Sequence, residues 1–381
     1  MCLFLQNSKG MKLADIDECT GCGACASVCA KGCITMGIGE NGFYYPQVNI
    51  ATCVDCGLCS KNCHVLNKPE SQKFEKQYYY GWESSETKRF EGSSGGVFGA
   101  IAESILSDGG IVYGAALSLN KKKLSHCSTN DVSLSELKKS KYLESDMGCT
   151  ISLIRKDLKG GKNVIFCGTP CQVYGVRKVL DYKYDNLVLC DFLCHGVPSQ
   201  VRYQQYLNEL EAKYNSTIKN IGFRTKKYGW RTYCIVIEFE NGNKYVKLAN
   251  EDPYYKHFFS NINLRHSCYT CNRVAKSVAD ITLGDFWGAK KKGYKDDDKG
   301  ISLIVCNTEK GQKIVNQLST LKKQDINASD VDYAFVERKV KEKRTLINAP
   351  FFDGLNISMK DKIVCTALKN RLLRNLIYRI L

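Results

Sequence analysis

The rhythm of apolar and polar positions changes near residue 78. From Tyr78 onward, short apolar runs alternate with stretches whose apolar residues recur every three or four positions. The run 111–117 (IVYGAAL) predicts a buried strand. So do 163–171 (NVIFCGTPC) and 186–194 (NLVLCDFLC), each ending in C-x3-C and each leading into a helix. The two look parallel, and ligands of open α/β sheets collect at the carboxyl ends of such strands. Val97, Phe98, Ile101, Ala102, Ile105 and Leu106 define one amphipathic helix, with Ser93 or Ser94 as its cap and Gly109-Gly110 as its stop. A second helix carries Ile151, Ile154 and Leu158, with Asp146 as its cap and Gly160-Gly161 as its end. Residues 232–249 predict a hairpin around Asn241-Gly242. Strands are expected at 279–288 (ADITLGDFWG, running into a turn) and 301–306, and a helix at 308–323.

Residues 1–70 follow another rule. They hold ten of the 21 Cys of this 381-residue chain and read as a separate unit, joined by the polar stretch 68–77 with Pro69. The chain is 44% hydrophobic and 25% charged, which excludes disorder over most of it. No apolar run approaches the roughly 18 residues that span a bilayer. The Cys count is odd, no signal-peptide pattern is visible, and the cysteines cluster as C-x-x-C. These features point to metal ligation in a reducing cytoplasm.

Cys19, Cys22, Cys25 and Cys29 form one C-x2-C-x2-C-x3-C run, and Cys53, Cys56, Cys59 and Cys63 form another. Three thiolates at two-residue gaps wrap one face of a cubane, and the fourth reaches the other cluster. Cys19, Cys22, Cys25 and Cys63 are therefore assigned to one [4Fe–4S] centre, and Cys53, Cys56, Cys59 and Cys29 to a second. Gly21, Gly23 and Gly57 permit the tight backbone. The segment resembles a two-cluster ferredoxin domain, with Ala30 and His64 where Pro usually follows the fourth Cys. Zinc on C-x-x-C pairs is the weaker alternative. Cys33 reads as a spare buried thiol.

Eight strings then occur in order: GSSGGVF (92–98), SKYLES (140–145), FCGTPCQVYG (166–175), DFLCHGVPS (191–199), FRTKKYGW (223–230), CYTC (268–271), ADITLGDFWG (279–288) and DDDKGISL (296–303). Over about 78–335 the chain resembles the family of beta subunits of coenzyme F420 hydrogenase and dehydrogenase. The resemblance implies an FAD and at least one [4Fe–4S] cluster in the core, with electrons passing to a deazaflavin or another two-electron acceptor. Bacterial relatives with an N-terminal dicluster segment resemble this chain most, and several are associated with polysaccharide biosynthesis. The fold class expected is an α/β (mixed α+β) core with an N-terminal ferredoxin-like dicluster domain and a C-terminal helix. The units are 1–67, a linker 68–77, 78–160 resembling the family's N-terminal region, 161–345 resembling its flavin and iron–sulfur core, and a basic segment 346–381.

Four more Cys stand at ends of elements: Cys171, Cys194 and the pair Cys268 and Cys271. Together they offer the four thiolates of a third cubane, with zinc or a redox-active thiol arrangement as alternatives. Cys171 is expected near a helix N-terminus, where the dipole favours thiolate. Cys167 and Cys190 read as packing residues. Cys2, Cys127, Cys149, Cys234, Cys306 and Cys365 have no spacing partner and read as ordinary thiols.

For FAD, the Ser93, Ser94, Gly95, Gly96 turn opens a helix whose backbone N–H groups can hold a pyrophosphate. Without the resemblance, such a turn is a simple cap. Lys141 and Tyr142 are candidate flavin or substrate contacts, Thr169 and Gln172 flank Cys171, and Arg224, Lys226 and Trp230 offer charge and a stacking surface. His195, Asp285 and Lys141 are the catalytic candidates. His195 reads equally as a structural hydrogen-bonding residue. No G-x-G-x-x-G follows a strand, so a Rossmann nicotinamide site is unsupported.

Lys and Arg exceed Asp and Glu to give +16. Such a balance raises nucleic acid as a partner, but three clusters and FAD would reduce it to roughly +8. Basic residues are also dispersed, so no nucleic-acid partner is expected. The expected partners are a ferredoxin or another electron-transfer protein and a small-molecule acceptor. A non-catalytic electron-transfer subunit is the rival reading. From Met359, apolar residues at 3–4-residue spacing alternate with Lys and Arg, reading as a docked helix or as a contact with an anionic membrane surface.

Overall fold

Two antiparallel strands, β1 (Ile34–Ile38) and β2 (Tyr44–Val48), organise the Cys-rich segment. The structure is a computed structural model that describes residues 11–331 and 350–352. The segment from Met359, with Cys2 and Cys365, lies outside the described residues. Each four-cysteine run places a short helix, Ala24–Ser27 or Leu58–Lys61, after a glycine in the left-handed region, Gly23 or Gly57. A side chain at Gly21 would strike Arg265, Glu144 and the Tyr44 carbonyl, so the chain can pass there only as glycine.

The body is built on an eight-stranded mixed sheet. Its strands are β3 (Gln77–Glu83), β4 (Ile111–Ser118), β5 (Lys123–Ser128), β6 (Val164–Cys167) and β7 (Leu187–Phe192), then three later ones. Between them, β8 (Ile218–Thr225), β9 (Cys234–Phe239) and β10 (Lys244–Leu248) make a separate three-stranded antiparallel sheet. The large sheet is completed by β11 (Ile281–Asp285), β12 (Ser302–Cys306) and β13 (Leu321–Asp325), in the order β13-β3-β12-β11-β7-β6-β4-β5. Its centre, β4-β6-β7-β11, is parallel. Strands from both sides of residue 160 share this sheet.

The apolar runs are continuous because both faces are covered. Val164 and Phe166 of β6, with Leu187 and Leu189 of β7, pack under the helices Thr150–Lys159 and Pro170–Leu180. Ile165, Val188 and Cys190, pointing the other way, pack against the helix Val97–Ser107. Tyr203, Tyr206 and Leu207 of the helix Gln200–Tyr214 cover the small sheet through Phe223, Ile235 and Ile237. Among the described residues, no helix is long and apolar enough to cross a membrane.

Three local expectations need correction. The helix Val97–Ser107 is capped by Gly96 at φ 82°, not by Ser93 or Ser94. Asp146 caps no helix, because its carboxylate accepts the Gly148 N–H at 2.9 Å and pairs with Lys123 at 2.7 Å; the helix starts at Thr150. The helix expected at 308–323 ends at Gln317, and residues 321–325 become β13. Strand β3 would otherwise end the sheet with unpaired backbone groups, and the charged stretch LKKQD suits an edge.

Candidate functional site

The carboxyl ends of β6, β7 and β11 open into a cavity of about 760 Å³. That is within the usual range for a cofactor or small-molecule site, roughly 300–1,000 Å³. Cys167 and Thr169 come from the end of β6, Phe192 to Gly196 from beyond β7, and Gly284 to Gly288 from the end of β11. The first turn of the helix Val97–Ser107 faces the same space through Val97, Phe98 and Gly99. Its free N–H groups suit an anion.

Of the residues expected to hold a cofactor, Ser93, Ser94, Gly96, Lys141, Tyr142, Thr169 and Arg224 line this cavity. So do the catalytic candidates His195 and Asp285. Four others stand behind the wall. The Gly95 N–H donates to Ser302 Oγ, fixing the turn to β12. Gln172 completes a capping box, its Oε1 accepting the Thr169 N–H at 2.9 Å and its Nε2 donating to Ser145 Oγ at 2.8 Å. Lys226 Nζ donates to the carbonyls of Arg89, Ser94 and Lys299, so it ties three loops together. Trp230 is buried and stacks flat on Trp287, ring centroids 4.3 Å apart. Trp287 is 40% exposed and presents the aromatic face that Trp230 was expected to supply.

The hydroxyls of the turn are also committed. Ser93 Oγ accepts the Ser140 N–H at 2.5 Å, and Ser94 Oγ donates to the Ile301 carbonyl at 2.7 Å. The Ser93 O–H and the backbone remain to meet a ligand there. Arg224 differs. It is 6% exposed, and its Nη1 donates to Asp285 Oδ2 at 2.5 Å. Its Nε and Nη2 are buried with no hydrogen-bond partner among the described residues. A guanidinium held on one side, with two donors left over in a cavity wall, fits an oxyanion or a flavin ring edge. Asp285 also accepts from Trp230 Nε1 at 3.3 Å, so it orients both groups.

The cysteines fall into three groups. Burial first, then neighbouring thiolates, raises the pKa of Cys22 to about 12, and that of Cys25 well above the ordinary thiol range. Cys19 and Cys63 act on both, with Cys171 acting also on Cys22 and Cys22 on Cys25. A second group joins Cys29, Cys53 and Cys59 to Cys33, whose Sγ lies 3.1 Å from Cys29 Sγ, with Cys56 exposed nearby in the chain. In the third group, burial raises Cys194 well above the ordinary range and Cys268 to about 12; charges from Cys171 and Cys271 add to both. Cys171 is in the first turn of the helix Pro170–Leu180. Cys194 lines the cavity. Among the described residues, no three such side chains converge as ligands of a single ion would. A cubane asks for something else, because each thiolate binds a different iron and the sulfurs stand a cluster's width apart.

Residues 161–332 match the family model for the C terminus of the beta subunit of coenzyme F420 hydrogenase/dehydrogenase, and residues 18–66 match a 4Fe-4S dicluster domain. The chain therefore carries a domain matching the C terminus of the coenzyme F420 hydrogenase/dehydrogenase beta subunits behind a 4Fe-4S dicluster domain. It is 25% identical over 346 residues to the coenzyme F420-dependent sulfite reductase of Methanocaldococcus jannaschii, covering 87% of this chain and 50% of that protein. It is 22% identical over 193 residues to a subunit of the F420H2 dehydrogenase of Methanosarcina mazei, covering 47% of this chain and 54% of that one. The chain thus spans about half the length of these two curated relatives. A solved chain of the F420-reducing [NiFe] hydrogenase complex from Methanosarcina barkeri is similar at a TM-score of 0.48 and 16% identity, over 71% of this chain and 89% of that one.

Two residues of the body escaped the sequence reading. Arg265 and Glu144 form a buried ion pair at 2.5 Å between the dicluster segment and the sheet. They lie 121 positions apart with no local pattern to mark them.

Lys141 has another property. Burial lowers it to about 7. Between about pH 7 and 10 the unfolded chain keeps a proton on this lysine that the folded chain has released. Stability from Lys141 therefore rises with pH through that window. Thermal melts of wild type and Lys141→Met are expected to diverge steadily in favour of wild type from pH 7 to pH 10. Parallel melting curves would contradict the depressed lysine.

Proposed function

We propose that this protein is an FAD-dependent iron–sulfur oxidoreductase. It takes electrons from a ferredoxin-type donor and delivers them in pairs to coenzyme F420 or another organic acceptor. The observation that carries the reading is the third cysteine group. Cys171, Cys194, Cys268 and Cys271 lie between the dicluster thiols and the cavity: charge on Cys171 is felt by Cys22, while Cys194 lines the cavity itself. Bound [4Fe–4S] clusters supply one-electron steps, and FAD joins two of them into hydride chemistry.

The chain's own residues have defined tasks. The eight dicluster cysteines would hold two clusters, and the four core cysteines a third. Gly175 brings the Pro170–Leu180 helix against Cys22, since a Cβ there would sit 2.9 Å from the Cys22 sulfur. This close approach keeps the first and third groups adjacent. Around the cavity, Arg224 and the first turn of the Val97–Ser107 helix would hold the anionic or ring-edge parts of the flavin. Trp287 offers it a face, while Tyr142, Phe258 and Phe259 exclude water.

The test is iron, zinc and flavin content of anaerobically purified protein, followed by an acceptor screen read as flavin reoxidation. About twelve Fe and one FAD per chain are expected. About eight Fe without flavin would reduce the protein to a dicluster carrier, and zinc that persisted through reconstitution with iron and sulfide would overturn the redox reading. The second reading, an electron-transfer subunit without its own substrate, draws on the likeness to one subunit of a dehydrogenase. Acceptor binding by the isolated chain separates the two.

A further inference from the structure

We propose that Arg265, opposed by Glu144, sets the reduction potentials of the two redox centres it lies between. The inference rests on the three-cluster reading above and concerns the Cys19 group and the Cys171 group.

Arg265 touches both. Its Nη1 donates to the Cys19 carbonyl at 2.7 Å, and its own main-chain carbonyl accepts the Cys268 N–H at 2.9 Å. One residue therefore bridges a thiol-bearing residue of each group through hydrogen bonds and covalent chain. The guanidinium is 1% exposed and closed over by the rings of Phe43 and Tyr45, 5.1 and 4.6 Å away. Charge in such a place is weakly screened. The guanidinium lies against the main chain of Cys19, and Arg265 itself opens the short turn His266–Cys268 that carries Cys268.

Glu144 is the counterweight. Its Oε1 accepts from Arg265 Nη2 at 2.5 Å and Nε at 3.2 Å, and its Oε2 accepts the Tyr44 N–H at 3.0 Å. Its negative charge sits against the guanidinium and opposes that group's field. Reduction adds one negative charge to a cluster. A fixed cation beside it stabilises the reduced form and raises the potential, and a fixed anion lowers it. The pair is more than a structural clasp because two residues of equal burial must then shift the potentials with opposite signs.

The experiment is an EPR-monitored redox titration of the full chain, with iron counted in every sample. Glu144→Gln is expected to raise the potentials of both inner centres and leave the Cys53 centre unmoved as an internal reference. Glu144→Gln/Arg265→Gln is expected to bring the inner potentials back below those of Glu144→Gln, while Arg265→Lys, which keeps the charge, stays nearest to wild type. Full iron with unshifted inner potentials in Glu144→Gln would overturn the proposal. If the double variant loses iron, Glu144→Gln alone decides. A wild type with about eight Fe would instead remove the core centre from the reading, and the Cys19 centre would still report the sign.

Discussion

Cys171→Ala protein, purified without oxygen, is expected to carry about eight iron atoms per chain, against about twelve expected for wild type. Its dicluster should still be reduced by an external donor, but the electrons should no longer reach the flavin. The reason is positional. Cys171 occupies the first turn of the Pro170–Leu180 helix, where the helix dipole opposes the burial that raises its thiol. Thr169 Oγ1 lies 3.1 Å from its sulfur. The same helix carries Gly175, which packs on Cys22 of the dicluster segment. Loss of the thiol therefore empties the one group that lies beside both the dicluster and the cavity. Iron counting and stopped-flow reduction of flavin measure the two halves of the effect. A variant with full iron and wild-type coupling would refute Cys171 as a ligand.

The second large effect is expected at Arg224. Two of its buried donors have no hydrogen-bond partner among the described residues, the clearest sign in the cavity wall that a ligand completes the site. Hydrogen bonds to a charged group contribute about 1.5–3 kcal/mol each, and loss of one such bond weakens binding about 10- to 100-fold. Arg224→Gln should therefore co-purify with little flavin, and its Kd for added FAD should rise by that factor. Lys226→Met provides the contrast. Lys226 holds three carbonyls together behind the wall, so its loss should lower the melting temperature while FAD affinity stays within a few-fold of wild type. Wild-type flavin binding by Arg224→Gln would remove the guanidinium from the site.

How much of this was legible beforehand depended on the range of the interaction. The two C-x2-C-x2-C-x3-C runs could be read directly, because ligand spacing around a cubane is a property of a dozen consecutive residues and their glycines. The central strands were equally plain. Val164 to Cys167 and Leu187 to Cys190 are apolar without interruption, the composition of a strand covered on both faces. Their C-x3-C endings already pointed to one shared site, since neighbouring parallel strands end on the same edge of a sheet.

What the chain's order alone determined was therefore the chemistry on offer: twelve thiols in cluster-like spacing or at strand ends, a helix start suited to an anion, and basic and aromatic residues near it. Which of those residues face the cavity was decided by tertiary structure. Trp230 and Trp287 are 57 positions apart, and only their stacking makes one a backing and the other a surface. Lys226 looked like a free cation until three distant carbonyls claimed it. Arg265 and Glu144 carry no local signal at all, because a buried charge is defined by what the fold packs around it and what solvent the fold removes.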